Sequence, residues 1–258
     1  MKSIFTLPAA ALLAAFVVTP PAALADQDTH AFWLQRVGFS RTTGSGHLAT
    51  ETRPIGPFQA VLLRNPVKVV LRQGSRVAVA VSADDNLLPL IETRVIDHAG
   101  VPTLEITTRP DASFRTRNDL VLTVDAVTLH AISVSGSGEL ICDALEANEL
   151  SLHLSGTGDI DLHKLSAESL FIRVSGSGDV RVAGRATKAG ISIAGSGDVD
   201  TSKLDADEVR VSIAGSGDAK VVAHQTLAVT IAGSGDVAYA GEAAVKTSIV
   251  GSGSVRKR

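Results

Sequence analysis

The sequence has few aromatic residues: seven Phe, one Trp and one Tyr among 258 residues. This shortage argues against functions that need rows of stacking rings, such as binding of single-stranded nucleic acid or a sugar cleft lined with aromatic side chains. The formal net charge of −3 removes the usual electrostatic attraction for nucleic acid or an anionic membrane. We therefore expect no nucleic-acid partner.

Cysteine is almost absent as well, since Cys142 is the only one. No disulfide can form within the chain, so backbone pairing and packing must hold the fold together. Cys142 is either a reactive or intermolecular thiol or a small buried side chain. The repeat pattern described below favours the buried alternative.

Long apolar runs are missing after the first 25 residues, so no transmembrane segment is expected beyond them. Residues 1–25 have the pattern of a secretory signal peptide: Lys2 near the start, a mostly apolar run from Ile4 to Val18, and Ala23-Leu24-Ala25 before Asp26. We expect residues 26–258 to be exported, and to be periplasmic or extracellular in a bacterium. Lys2 is the only charged residue of the signal, so the remainder carries a net −4.

Glycine, by contrast, is abundant, and 14 of the 23 glycines belong to seven copies of one motif, Gly-Ser-Gly or Gly-Thr-Gly, usually followed by an acid and an apolar residue. The spacings between successive copies are 20, 20, 19, 20, 18 and 18 residues. Such a period is the signature of a repeat architecture. The first glycines of the seven copies are Gly136, Gly156, Gly176, Gly195, Gly215, Gly233 and Gly251.

Apolar and polar residues alternate on both sides of each motif, which predicts strands with one buried face. Before the motif, the apolar column runs through Val134, Leu154 and Val174; after it, Cys142 stands where most other copies have an apolar residue. Each repeat is therefore predicted to be strand, tight turn, strand and a short variable link, such as 144–148 or 203–208. Glycine suits a turn that needs positive φ or close approach between neighbouring coils.

Repeats of about 20 residues cannot bury an apolar face alone and must stack. We predict an all-β fold: a single-stranded, right-handed parallel β-helix, or β-solenoid, with coils of 18–20 residues, because parallel crossovers prefer the right hand. The leucine-rich pattern and the nonapeptide calcium-binding pattern are both missing from the sequence.

The chain after the signal is expected to be one domain, 26–258, with seven regular repeats in 132–258. Residues 26–131 show strand patterns without the regular motif, for example at Val77, Val79 and Val81, and are interpreted as irregular N-terminal coils and a cap. Gly44-Ser45-Gly46 is either a stray turn or a diverged copy. We expect Phe32, Trp33 and Phe39 to cover the N-terminal end of the solenoid; the alternative is that they insert into a partner. Arg256-Lys257-Arg258 are expected to protect the other end.

Several segments follow one another in a characteristic order. They are Gly44-Ser45-Gly46 with Glu51 to Ile55 and Phe58, then Val69 to Gly74, then Ala83 to Leu88 with Ile91-Glu92-Thr93, and finally the repeated Gly-Ser-Gly-Asp motif. Together they resemble the GIN-domain family of autotransporter adhesin heads. The resemblance covers the chain from about Gly44 onward. It implies an exported bacterial β-helical protein with adhesion as its function, from a family with no established enzymatic activity.

An acid follows the second glycine in six of the seven copies, and Ser254 replaces it in the last. Carboxylates stacked about 5 Å apart repel one another by roughly 1 kcal/mol per pair in water. One explanation is that each acid caps its turn by accepting hydrogen bonds from backbone N–H groups or from the stacked serines. The other is that Ca²⁺ binds along the column. We favour capping and expect no cofactor. These residues, here called the acidic ladder, are Glu139, Asp159, Asp179, Asp198, Asp218 and Asp236.

No catalytic constellation stands out. The sequence contains no Gly-x-Ser-x-Gly nucleophile elbow, and no histidine pair has metal-site spacing. His153 falls in an outward polar column, and Asp84 and Asp85 with Glu92 are better explained as part of a polar turn than as a site. We therefore expect a non-enzymatic interaction module of the cell envelope that binds an unidentified protein or glycan. The alternative is a polysaccharide lyase or hydrolase built on a β-helix.

Overall fold

The computed structural model describes residues 41–110 and 112–258, which form an all-β structure with one 3₁₀ turn at Leu88–Leu90. The irregular N-terminal part contains strands β1 (Arg41–Thr43), β2 (Leu48–Arg53), β3 (Ala60–Arg64), β4 (Lys68–Gln73), β5 (Ala78–Asp84), β6 (Ile91–His98), β7 (Val101–Thr108), β8 (Ser113–Arg115) and β9 (Val121–Ala126). The repeats contain β10 (Ala131–Gly136), β11 (Glu139–Cys142), β12 (Leu145–Gly156), β13 (Asp159–Gly176), β14 (Asp179–Gly195), β15 (Val199–Gly215), β16 (Ala219–Val222), β17 (Thr226–Gly233), β18 (Asp236–Ala240), β19 (Ala244–Gly251) and β20 (Ser254–Lys257).

The repeats stack in parallel with their motifs in register, which confirms the predicted β-solenoid. Gly136 pairs with Gly156, Gly156 with Gly176, and Gly176 with Gly195, and the same register continues to Gly251. The 19-residue repeat is absorbed by register shifts between Leu162 and Leu165 and between Arg181 and Ala183. Coils of 18 to 20 residues thus present equivalent positions one above another.

The link between coils is itself a strand where we expected a variable connection. Residues 145–148 belong to β12 and residues 203–208 to β15, so the predicted links at 144–148 and 203–208 were wrong. Leu145 pairs with Leu165, and both are buried. The buried leucines face the core, so this segment has an inward face like the other strands. Because successive coils are of nearly equal length, its backbone pairs with the same segment of the next coil. In the shorter last coils, an irregular turn at Ala223–Gln225 replaces part of this strand.

The core is one continuous column of aliphatic side chains inside the coils. The positions two and four residues before each motif are buried through the coil that ends at Gly233, as are Leu140, Ile160, Val180, Val199, Ala219 and Val237 after the motifs. Side chains of this size fill the narrow interior, and successive coils place them in contact with one another. The predicted inward columns are therefore confirmed.

Of the nine strands in the N-terminal part, four continue the solenoid, three depart from it, and β1 and β8 form a separate parallel pair. Strands β3 and β4 pair in parallel with β10 and β11, and on their other sides with β7 and β9. Strands β2, β5 and β6 pair antiparallel instead. One reason is the two-residue turn Ala99-Gly100, whose φ values of 55° and 83° fit the tight hairpin between β6 and β7. The interpretation of all these segments as coils was thus too simple.

The last coil leaves apolar side chains uncovered by the described residues. Val245 and Ile249 are 39% and 40% exposed, although the equivalent residues one coil earlier, Leu227 and Ile231, are buried. Arg256 and Lys257 form ion pairs with Asp236 and Glu242, so charge is present at this end as expected. It does not cover the apolar column.

Two predictions lie outside the described residues: the signal peptide at 1–25 and the cap formed by Phe32, Trp33 and Phe39. The boundary of a single domain at 26–258 also stays a prediction. Within 41–110 and 112–258, no helix is long and apolar enough to cross a membrane.

Candidate functional site

The motif glycines let neighbouring coils approach more closely than side chains would allow. Gly176 has a φ of 130°, and a Cβ added there would lie 2.3 Å from the carbonyl oxygen of Gly156. At Gly178, an added Cβ would lie 2.0 Å from the carbonyl oxygen of Gly158. Both obstacles are backbone atoms, which cannot rotate away. The motif is therefore explained by the stacking of coils.

Five of the six acids of the ladder, all except Glu139, join one coil to the next by accepting a hydrogen bond from a backbone N–H group. The Oδ1 of Asp198 accepts the N–H of Asp218 at 2.9 Å, and the Oδ1 of Asp218 accepts the N–H of Asp236 at 2.8 Å. Asp159 and Asp179 make longer bonds of the same kind, of 3.3 and 3.4 Å. The acids thus cap the N–H of the following coil, where we had expected each to cap its own turn.

The ends of the ladder are neutralised by neighbouring charges. Glu139 pairs with Lys68 at 3.2 Å, and Asp236 pairs with Arg256 at 3.0 Å. At Asp236, the Ser254 hydroxyl and then the Ser254 N–H donate to the carboxylate, and together with Arg256 they lower its pKa. These contacts offset part of the repulsion between the stacked carboxylates.

The calcium hypothesis stays a prediction. Where the chain is described, no three His, Cys, Asp or Glu side chains come together as a group that could hold a metal ion. Each coil contributes one ladder carboxylate, whereas Ca²⁺ usually takes six to eight oxygen ligands.

Cys142 and His153, the two single residues considered as reactive groups, lie where the repeat pattern predicts: Cys142 in an inward column and His153 in an outward one. Cys142 is buried, and its burial raises the thiol pKa to about 11, which leaves it protonated and unreactive at neutral pH. His153 is exposed and pairs in register with Ser133 and Arg173. Partial desolvation, followed by the charge of Arg173, lowers the pKa of His153.

Asp84 and Asp85 form part of a structural turn, as the sequence suggested. Asp84 is buried and accepts hydrogen bonds from Thr116 and Asn118. Asp85 accepts the Ser45 hydroxyl, which is the main reason that its pKa is lowered. Ser45 thereby places the turn 44–46 against the loop 84–86, so that turn does not join the motif stack. Within the described ranges, no hydrogen bond or ion pair connects Glu92 with either aspartate.

The outward face of strands β12, β13, β14, β15 and β17 carries a shallow depression of about 660 Å³. At its centre is Gly190, which pairs in register with Phe171 of β13 and Arg210 of β15. Phe171 is 47% exposed, and its Cδ1 lies 3.1 Å from the position of an added Gly190 Cβ. The ring therefore forms one wall of a gap left by the missing side chain. We call this feature the Gly190 depression.

Charged side chains surround the Gly190 depression. Arg173, Lys188 and Arg210 line it together with Glu149 and Glu208. In the part of the chain that the structure describes, none of these five makes an ion pair within 4.0 Å, whereas the ladder acids at both ends do. The depression therefore offers an aromatic surface and unpaired charges to an external molecule.

Sequence reasoning missed the Gly190 depression because Gly190 is outside the motif. Aligning the repeats would have shown it, since the same outward position is occupied by Ser151, Phe171, Gly190, Arg210, Ala228 and Lys246. A second missed feature is Asn65, whose φ of 94° lets it stand beneath Gly136 in the stack. Asparagine is the residue that most often shares glycine's tolerance of positive φ.

Comparison with solved structures gives relatives with the same fold. A structure described as a "putative adhesin" from Bacteroides fragilis has a TM-score of 0.76 and 24% identity, covering 84% of this chain and 99% of that one. A "putative lipid binding protein" from Parabacteroides distasonis has a TM-score of 0.71 and 24% identity, with the same two coverages. A "putative adhesin" from Parabacteroides merdae has a TM-score of 0.67 and 22% identity, again over 84% and 99% of the two chains.

The comparison with curated proteins found no match. The profile of one family matches residues 57–243 and is described as "Putative auto-transporter adhesin, head GIN domain". This match spans most of the chain and includes six of the seven motif copies, the acidic ladder and the Gly190 depression. The chain therefore belongs to the GIN-domain family of adhesin heads.

Proposed function

We propose that the protein is an exported, non-enzymatic interaction module of the bacterial cell envelope, which binds a protein or glycan through the outward face of its repeats. The observation that carries this proposal is the Gly190 depression, where an exposed aromatic ring and unpaired charges share one rigid parallel sheet. A rigid sheet presents such groups with little conformational entropy left to lose on binding. Membership of an adhesin-head family supports the same class of function.

The alternative, a polysaccharide-active enzyme, is disfavoured by the positions of the acids. Glu149 and Glu208 are the two carboxylates of the Gly190 depression, and they lie three strands apart. At a strand spacing of about 4.8 Å this separates their backbones by about 14 Å. Glycoside hydrolases place their paired carboxyl groups roughly 5 to 9.5 Å apart. The depression thus supplies binding groups without a suitable catalytic pair.

The test combines a glycan array and immobilised envelope proteins with assays for turnover. We expect saturable binding by the wild-type chain that weakens in Phe171→Ser, with no release of reducing or unsaturated sugar from polyuronates. Val250→Ser is the matched control, because Val250 is 73% exposed outside the depression. Sugar release would instead establish the enzyme, and equal binding by both variants would exclude the face we propose.

Export is tested by fractionation and by mass spectrometry of the N-terminus. Cleavage before Asp26 and recovery in the periplasm or at the cell surface are expected. An intact Met1 with cytoplasmic recovery would contradict export. The relative described as lipid binding adds one further arm, in which binding to vesicles is measured for wild type and Phe171→Ser.

A further inference from the structure

We propose that the Gly190 depression binds a sugar that carries a carboxylate, such as a uronate or sialate unit of an envelope glycan. This inference rests on the proposed function and names the ligand class of the same face. Three features support it: the shape of the gap, the sign of the charge around it, and the mixture of one ring with hydroxyl groups.

The gap is open, and its floor is flat and rigid. Gly190 leaves one position of the outward row without a side chain, between the ring of Phe171 and the side chain of Arg210. The whole depression has a volume of about 660 Å³, within the range of about 300 to 1,000 Å³ that is usual for small-ligand sites. Paired strands hold the floor on both sides, so the gap is present before a ligand arrives.

The charge immediately around Gly190 is positive. Lys188 precedes Gly190 by two residues on the same strand, and Arg210 pairs with Gly190 on the next strand. Arg173 pairs with Ser192, which follows Gly190 by two residues. Glu208, which pairs with Lys188, is the one acid among these nearest neighbours; Glu149 lies a further two strands away. Neither arginine makes an ion pair within the described ranges. Their guanidinium groups favour a planar carboxylate, which they can bind through paired hydrogen bonds.

The remaining groups suit a sugar ring better than an acyl chain or a peptide. Phe171 offers an apolar surface for the C–H face of a pyranose, and the Ser192 and Ser212 hydroxyls at the edge of the depression can donate to and accept from sugar hydroxyls. One exposed ring serves one sugar unit, which agrees with the scarcity of aromatic residues. An acyl chain would require a deep apolar cavity, whereas this depression is shallow and its lining mixes Gly190 and Ala228 with Ser151, Ser192 and Ser212.

The binding test uses an array of oligogalacturonate, oligomannuronate, oligoguluronate, glucuronate and sialyl-lactose probes, each beside its carboxyl methyl ester. We expect the wild type to bind at least one acidic probe and to bind its ester at least about tenfold more weakly, as the loss of a charge-assisted hydrogen bond implies. Arg210→Gln should weaken binding by a similar factor. Lys246→Gln removes a cation from the same outward row beyond the depression and should leave binding unchanged.

Gly190→Val tests the shape independently of charge. Gly190 has no positive φ, and its nearest obstacle is the rotatable Phe171 ring, so the variant should fold while filling the gap and abolishing binding. A thermal melt close to that of the wild type confirms folding.

The inference is overturned if no acidic probe binds, if the methyl esters bind equally well, or if Gly190→Val and Arg210→Gln bind like wild type. Binding to phosphatidylglycerol vesicles that depends on Arg210, without binding to any sugar, would also overturn it. In each case the broader proposal is judged separately, since binding of another glycan or an envelope protein would preserve an interaction module.

Discussion

Replacing a motif glycine with alanine should destabilise the fold far more than replacing a glycine of the outward face. Gly176→Ala places a Cβ 2.3 Å from the carbonyl oxygen of Gly156, at a residue whose φ is 130°. The unusual backbone conformation costs about 1–3 kcal/mol for a residue with a side chain. Relieving the overlap requires the coils to separate, which costs about 1–3 kcal/mol, as overpacking does.

The expected loss in the free energy of unfolding is therefore roughly 2–6 kcal/mol, a large part of the roughly 5–15 kcal/mol typical of a native domain. For a domain of this size, each kcal/mol lowers Tm by about 2–4 °C. Because coils interact mainly with their neighbours, part of the loss should appear as local opening near the substitution. Hydrogen exchange at the amides of 156–178 would detect such opening.

The matched control is Gly190→Ala, since Gly190 has no positive φ and its nearest neighbour is the rotatable Phe171 ring. Alanine there should change stability by less than about 1 kcal/mol, because glycine within a strand is itself unfavourable by that amount. Both variants are measured by urea and thermal unfolding followed by circular dichroism. Equal stability of Gly176→Ala and Gly190→Ala would refute the explanation of the motif by close stacking.

Four further outcomes follow from the ladder and the core. Asp218→Ala should lower the free energy of unfolding by about 0.5–1.5 kcal/mol, because it removes the acceptor for the Asp236 N–H. Asp218→Asn keeps an oxygen there and should cost less. The reverse order of stability in urea unfolding would contradict this role. The lowered pKa of Asp236 stabilises the fold above the ordinary carboxyl value, and this contribution is lost as the pH falls through the lowered pKa. Ser254→Ala should raise that pKa in a carbon-detected NMR titration, and an unchanged value would count against the hydroxyl. Cys142, with a pKa of about 11, should resist iodoacetamide at pH 8 until urea unfolds the chain; rapid labelling of the native protein would show an accessible thiol. Millimolar calcium should leave Tm unchanged, because backbone N–H groups already bridge the ladder, and a rise in Tm with calorimetric heat would reveal a cation site.

The regular coils were predictable because their information is local and repeated. Val134, Leu154 and Val174 share one position relative to the motif, and the alternation around them fixes which face is buried. Cys142 was placed correctly for the same reason. Stacking then converts this one-dimensional period into in-register pairs, as the Gly156–Gly176 pairing shows.

Other features were not predictable from the alternation alone. The link around Leu145 and Leu165 is interrupted by charged and small residues, so its strand pattern is hidden until neighbouring coils are seen to pair. The antiparallel hairpin between β6 and β7 depends on two residues, Ala99 and Gly100, that lack an Asn-Gly or Asp-Gly signal. These elements depend on contacts between segments more than on a repeated local pattern.

The centre of the Gly190 depression is formed by three coils together. Phe171, Gly190 and Arg210 are about one repeat apart in sequence and become neighbours only through the register. The acidic ladder was found from its spacing, yet its hydrogen bonds run to the next coil, as with Asp198 and Asp218. Sequence identified these acids, and the stacking determined what they do.

The most direct test of this account is disulfide formation between outward positions of adjacent coils. Ser192 and Ser212 pair in register, so Ser192→Cys with Ser212→Cys would bring two Cα atoms about 4.8 Å apart, within the range of about 4.4–6.8 Å that a disulfide permits. Ser192→Cys with Thr230→Cys spans two coils, at about 9.6 Å, which is too far. The account predicts that mild oxidation cross-links the pair at 192 and 212 and not the pair at 192 and 230. If only the second pair is cross-linked, or neither pair is, the in-register stacking on which the Gly190 depression depends would be contradicted.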